Sequence, residues 1–208
     1  MYRHPRALIA AVVIGLFVLA GCSSGHSSMN SDAMKMASIP EGADFNATDV
    51  GFAQGMIPHH AQAVEMADMA IAANASPAVL TLAQKIKAAQ NPEIETMTTW
   101  LRQWNQPVPA MTSSMSGGGH DMTGMSGMMM DGMMTQADMT RLSKAKGAEF
   151  DRLWLELMVQ HHEGAVRMAN DELASGKNAQ AQTLARAIIA SQTAEIEQMN
   201  KMLASMPN

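Results

Sequence analysis

Apolar residues recur at steps of three and four along two separate stretches of the chain. In the first stretch one apolar face covers residues 56–70 and another covers residues 82–100, with a turn signal at Asn74-Ala75-Ser76-Pro77 between them. This spacing is typical of one face of an amphipathic helix. The pattern therefore predicts a hairpin of two helices over residues 44–104.

The second stretch repeats the first at a constant offset and without a gap. The offset that aligns His59-His60 with His161-His162 also aligns Asp49 with Asp151. Such long gapless agreement indicates an internal duplication, so a second helical hairpin is predicted over residues 136–208. Neither hairpin buries its apolar face alone. We therefore expect an all-α protein, an antiparallel four-helix bundle of the ferritin-like type built from two repeated hairpins.

The N-terminal residues have the order of a bacterial export signal. Arg3 and Arg6 precede an apolar run over residues 7–18, which is short for a membrane span. Leu19-Ala20-Gly21-Cys22 resembles the bacterial lipoprotein box, in which the cysteine sulfur carries the lipid. We expect a signal peptide over residues 1–21, lipidation of Cys22 and a flexible tether over residues 22–43. An ordinary signal peptide with a chance cysteine is the alternative.

The composition of the chain limits the kinds of partner that it is expected to bind. The formal net charge is -5, with 14 basic and 19 acidic residues, so the chain has no basic footprint for nucleic acid. The chain contains 23 methionines. Methionine usually fills irregular gaps in a core, and that use needs far fewer residues. The expected location is extracytoplasmic, with a lipid anchor in the cell membrane or on the periplasmic face of the envelope.

Each copy carries a Met-x-x-His-His motif with a further methionine one heptad after the first histidine. Residues three, four and seven apart share a helix face, so thioethers and imidazoles lie together. A methionine at helical spacing is usually a core residue, but burying four imidazoles is costly unless each finds a partner. The candidate metal ligands in the two copies are Met56, His59, His60, Met66, Met158, His161, His162 and Met168.

Two acidic residues are candidates for orienting these histidines. Glu93 and Glu195 occupy equivalent positions on the second helix of each copy. A carboxylate that accepts a hydrogen bond from one imidazole nitrogen orients the other nitrogen toward a metal ion. A solvent-exposed acidic face is the alternative interpretation.

The segment between the copies, residues 105–135, is rich in glycine, serine and methionine and has no periodicity. Thioether ligands favour Cu(I) and other soft ions, whereas carboxylate-rich sites suit Mg, Ca and Mn. We predict that this linker also collects soft metal ions, although a plain low-complexity linker is the alternative. Its candidate ligands are His120, Met122, Met125 and Met128.

The two copies resemble the family catalogued as domain of unknown function 305, whose helical bundles include periplasmic copper-binding metallochaperones. The residues that carry the likeness are 55–60, 63–67 and 90–101, with their matches at 158–165 and 192–203. The resemblance implies copper binding, with Cu(I) as the expected ion and Ag(I) as a further one. It implies that the ligands are Met56, His59, His60, Met158, His161 and His162.

Other classes of function remain open at this point. A ferritin-like di-iron oxidase needs Glu-x-x-His, and neither histidine pair has a glutamate at that position. A haem bundle with His and Met ligands is possible in principle, although aromatic residues are scarce. A metal-free interaction module of the envelope is the third alternative. We expect a binding protein and not an enzyme, acting in copper buffering, delivery to an accepting protein, or resistance.

Overall fold

The computed structural model describes residues 37–110 and 132–207. Within these two ranges the chain forms five α-helices and no strand. The helices are α1 (Ala47–Ala72), α2 (Pro77–Gln103), α3 (Gln136–Lys144), α4 (Gly147–Ser175) and α5 (Ala179–Ser205). The four long helices form two hairpins, α1 with α2 and α4 with α5, and α1 packs against α4. The predicted all-α bundle of two repeated hairpins is confirmed.

Side chains at the first turns determine where the helices begin. Asn46 accepts hydrogen bonds from the backbone N–H groups of Thr48 and Asp49, and Asp49 accepts one from the Asn46 N–H at 2.6 Å. This reciprocal capping box satisfies backbone donors that the first turn of α1 leaves without helical partners. Asn178 caps α5 in a similar way through its Oδ1, and Pro77 occupies the first turn of α2.

Two aspartates at equivalent positions of the repeat connect the hairpins to each other. The Asp151 carboxylate accepts the backbone N–H of Ser76 at 3.2 Å, and Asp49 accepts that of Asn178 at 2.8 Å. Ser76 and Asn178 are themselves equivalent, so each copy caps the second helix of the other copy. Losing such a cap typically costs about 1 kcal/mol. The exchange of caps fixes the approach of the two hairpins.

The bundle buries two apolar clusters toward its two ends. The Met66 cluster combines the second half of α1 with the first half of α4, and the Trp154 Nε1–H donates to the Met66 carbonyl at 2.8 Å. The Met56 cluster combines the first half of α1 with the second half of α4, including Ala165 and Ala169. Along α1 and along α4, the two histidines of each motif lie between the residues of one cluster and those of the other.

The described ends of the predicted tether and of the predicted linker pack on the bundle. At residues 37–43 the predicted tether meets the first residues of the predicted linker, where Gln106 exchanges two hydrogen bonds with the backbone of Ala37. The other end of the linker, residues 132–135, is tied to α1. The predicted second hairpin also includes the short helix α3, which the apolar pattern did not reveal because only Met139 and Leu142 are buried on it.

No helix in the described ranges is long and apolar enough to cross a membrane.

Candidate metal centre

The antiparallel packing of α1 on α4 brings the two histidine pairs together in the middle of the bundle. The rings of His59 and His161 lie with their centroids 3.8 Å apart at an angle of 39°. All four histidines, including His60 and His162, have no solvent-exposed surface. Burying this many imidazoles is costly, so the arrangement indicates a function beyond packing.

One histidine of each pair is oriented by a glutamate on the next helix. His60 Nε2 lies 2.7 Å from Glu93 Oε2, and His162 Nε2 lies 2.9 Å from Glu195 Oε2. A neutral imidazole that donates its Nε2–H to a carboxylate keeps a lone pair on Nδ1. In the described part of the chain, neither Nδ1 has a hydrogen-bond partner. These two nitrogens are therefore available as metal ligands.

His161 packs against the ring of His59 and is fully buried. Among the described residues, neither of its ring nitrogens meets a hydrogen-bond partner of normal geometry. Burial, and next the neighbouring His59, lower the pKa of His161 well below its ordinary value. Burial also lowers the pKa of His162, although Glu195 opposes the shift. At neutral pH these rings are uncharged, which is the form that binds metal.

The two glutamates differ in their surroundings. Glu195 is 4% exposed and contacts Lys85 Nζ at 3.4 Å as well as His162, whereas Glu93 is 19% exposed. Burial on its own raises the pKa of Glu195, but His162 and Lys85 outweigh burial and leave the pKa below its ordinary value. Glu195 therefore stays ionised beside a neutral imidazole.

The same antiparallel packing divides the four predicted methionine ligands of α1 and α4 into two pairs. Met56 and Met168 belong to the Met56 cluster, where Met168 is half-buried and its methyl group packs close to Gly55. Met66 and Met158 are fully buried in the Met66 cluster. Each pair takes one methionine from each copy, so thioethers are present toward both ends of the histidine centre.

Two glutamines belong to the same region and were not predicted. Gln90 and Gln192 are each 2% exposed and lie one helical turn before Glu93 and Glu195. Within the described ranges, both amide atoms of Gln90 and the Oε1 of Gln192 lack hydrogen-bond partners. The detectable signal was a glutamine at the same place on the apolar face of both copies.

The other predicted site residues lie outside the described residues. They are Cys22, His120, Met122, Met125 and Met128.

The donor atoms limit the kind of metal ion that fits. Among the residues that the structure describes, no three His, Cys, Asp or Glu side chains are grouped to hold a metal ion. The donor atoms that the described part of the chain does place in this region are imidazole nitrogens and, in the two flanking clusters, thioether sulfurs. Such a mixed set of neutral nitrogen and sulfur donors favours soft ions over Mg, Ca or Mn.

Comparison with known proteins identifies relatives of the same architecture. The model of the family described as domain of unknown function (DUF305) matches residues 49–203, as the sequence motifs predicted. A DUF305 protein of Streptomyces coelicolor, described as secreted, is 34% identical with a TM-score of 0.65, covering 76% of this chain and 92% of that chain. No curated protein matches the chain.

Solved structures of the protein CopM are also similar. CopM in its Cu(II)-bound form is 34% identical with a TM-score of 0.60, covering 75% of this chain and 95% of that chain. CopM in its Cu(I)-bound form is 33% identical with a TM-score of 0.59, covering 76% of this chain and 96% of that chain. The match of the family model over most of the chain, together with these structures, shows that the protein belongs to the DUF305 family.

Proposed function

We propose that this protein is an extracytoplasmic binder of soft metal ions, with Cu(I) as its main cargo and Ag(I) as an alternative. The observation that carries the proposal is the buried group of four imidazoles, which lies between two methionine pairs. His60 and His162 each present an Nδ1 without a hydrogen-bond partner in the described structure, while a glutamate orients the opposite nitrogen. These are the features of a ligand prepared for metal.

The charge of the site favours a monovalent ion. Histidine binds a metal ion in its neutral form and methionine carries no charge, so these ligands do not cancel the charge of the ion. The cost of burying a charge rises steeply with its magnitude. Glu93 and Glu195 each contact one histidine of the centre, and their negative charges offset part of the single positive charge of the ion. CopM, a relative of the same fold, has been solved in Cu(I)-bound and Ag-bound forms, which supports this choice of ions, and also in a Cu(II)-bound form.

The cellular role that fits is binding without catalysis. Copper buffering, copper delivery to an accepting protein and copper resistance all require a store that releases its ion. Lipidation of Cys22 would hold this store at the membrane surface, and the similarity to a protein described as secreted supports an extracytoplasmic location. Replacing Cys22 with Ser and fractionating cells tests the anchor: the variant should leave the membrane fraction, and an unchanged distribution would refute lipidation.

Metal titration tests the central proposal. The chain without residues 1–21, with Cys22→Ser to remove the thiol, is titrated under reducing conditions with Cu(I), Ag(I), Zn(II) and Fe(II) in parallel. We expect tight binding of Cu(I) and Ag(I) only. Replacing His59, His60, His161 and His162 with Ala should weaken the tightest class at least 100-fold, on the order of what loss of orienting or ligating groups costs.

The matched control is His26→Ala, which removes a histidine outside both copies and should bind as the parent does. Thermal unfolding of the apo proteins establishes that the variants are folded. Tight binding that survives the loss of all four histidines would reject the proposed centre.

A further inference from the structure

The end of the predicted linker is attached to α1 and α4 close in sequence to the two histidine pairs. The backbone N–H of Met134 donates to Gln62 Oε1 at 2.7 Å, and Gln62 Nε2 donates to the Met134 carbonyl at 2.9 Å. Gln62 is 4% exposed and Met134 is 5% exposed, so both hydrogen bonds are buried. A side-chain amide that satisfies both polar groups of one backbone residue fixes the position of that residue.

Gly132 fixes the same segment on α4. Its φ of +80° suits glycine, and a Cβ at this position would lie 2.7 Å from the Gly164 Cα and 2.9 Å from the Gln160 carbonyl oxygen. No larger residue fits this contact between two backbones. Residues 132–134 therefore form a strap that crosses from α4 to α1.

The strap crosses at the level of the histidines. Gln62 lies two residues after His60, and Gly164 lies two residues after His162. Gln62 and Gly164 are equivalent positions of the repeat. The strap bonds to the side chain of Gln62 and packs on the backbone at Gly164, so it contacts the two copies in different ways.

The side chain of Met134 enters the Met66 cluster. Met66 lies one helical turn after Gln62, so it is near the point where the strap is attached to α1. Met158 lies one helical turn after Trp154, whose indole N–H donates to the Met66 carbonyl. Met66, Met134 and Met158 all belong to this one buried cluster. The opposite pair, Met56 and Met168, receives no third methionine from the strap.

We propose that Met66, Met134 and Met158 form a second site of three thioethers for Cu(I) or Ag(I), adjacent to the histidine centre. This inference rests on the proposed function for the class of metal. Three neutral sulfur donors suit a soft monovalent ion, which accepts few ligands. A purely structural role for Met134 would need an apolar side chain, and leucine would then serve equally well.

The test follows each methionine separately. In the chain without residues 1–21 and with Cys22→Ser, the methyl groups of methionine are labelled with ¹³C and observed by NMR during addition of Ag(I). Met→Leu variants assign the resonances. We expect the methyl signals of Met66, Met134 and Met158 to shift together, while those of Met139 and Met199, in the same cluster, stay in place.

A substitution measures the contribution of the strap. Met134→Leu should remove one equivalent of bound Ag(I) or weaken its binding about tenfold, which is 1.4 kcal/mol. Met139→Leu, which changes a buried methionine of the same cluster, is the matched control and should bind as the parent does. Gly132→Ala keeps Met134 but displaces the strap, so it should reproduce the loss.

The outcomes separate this inference from the proposed function. If the Met56 and Met168 signals respond to Ag(I) but the Met134 signal does not, the three-thioether site is refuted and the histidine centre stands. The three-thioether site is likewise refuted if Met134→Leu and Met139→Leu bind Ag(I) with the same affinity and stoichiometry. If no methionine signal responds, both proposals fail.

Discussion

The two copies of the repeat place the same histidine and glutamate pair in different surroundings. In the first copy, Glu93 is 19% exposed and contacts His60. In the second copy, Glu195 is 4% exposed and contacts both His162 and Lys85. The residue equivalent to Lys85 is Ala187, so the first pair has no matching cation from the repeat.

This difference shows how a duplicated bundle acquires unequal halves. The backbone geometry and the imidazole positions follow from the duplicated sequence, whereas single substitutions on neighbouring helices change the charge around each copy. Glu172 is a further example, because its counterpart in the first copy is Ala70. Each divergent position gives a way to alter one copy and leave the other as a reference.

The largest expected effect is on stability and comes from removing one glutamate at a time. Glu195→Ala leaves the Nε2–H of His162 buried without an acceptor, which typically costs about 2–3 kcal/mol. Glu93 is already in contact with solvent, so in Glu93→Ala a water molecule can accept the hydrogen bond from His60. The loss of stability is then only about 1 kcal/mol. Denaturant unfolding of the apo proteins at pH 7 measures both values.

Equal destabilisation by the two substitutions would remove the distinction between a buried and an accessible copy. The matched variants Glu93→Gln and Glu195→Gln keep an acceptor oxygen next to each imidazole. Both should therefore retain most of the stability that the alanine variants lose.

A second difference between the copies produces a pH dependence. Glu172 has no exposed surface, and burial together with the neighbouring Asp49 carboxylate raises its pKa to about 8, from an ordinary value of 4.5. The folded state therefore keeps a proton that the unfolded state has released. The stabilisation from this proton is complete below pH 4.5 and is lost as pH rises through about 8.

The effect of Glu172 on stability is best measured above pH 6.5. The pKa values of buried His161 and His162 are lowered from 6.5, so these histidines make stability depend on pH mainly below that value. Between pH 6.5 and 8 the parent should lose up to about 1.4 kcal/mol per pH unit. Glu172→Gln should abolish this slope, since the amide does not titrate. Unfolding free energies at several pH values measure the slope, and an unchanged slope in Glu172→Gln would assign the dependence to another group.

The sequence predicted the parts of the molecule that depend on local pattern and on the duplication. Helical spacing and the aligned motifs placed the histidines of α1 and α4 on facing helices, and the equivalence of Glu93 and Glu195 identified the residues that contact His60 and His162. Such features can be inferred from sequence because a helix face is determined by neighbours three and four residues away.

Contacts between distant segments were not predictable in the same way. Gln62 and Met134 are 72 positions apart, and the strap has no periodic pattern that would place it on α1. The exchange of caps between Asp49 and Asp151 likewise depends on how the two hairpins meet. Both features result from the packed arrangement of the copies, and a single hairpin gives no sign of them.

The smallest expected effect concerns metal affinity and comes from Lys85. Its ammonium group lies 3.4 Å from Glu195 and reduces the negative charge that supports His162 as a ligand. Lys85 is 61% exposed, so solvent weakens its influence, and Lys85→Ala should tighten Ag(I) binding only about two- to fivefold. Lys87→Ala is the matched control, because Lys87 lies on the same helix but pairs with the exposed Asp68. Competition titrations of the two variants at low salt compare them directly. Tightening that occurs equally in both variants would indicate a general charge effect, whereas tightening confined to Lys85→Ala would show that the second copy is held at lower affinity by one surface cation.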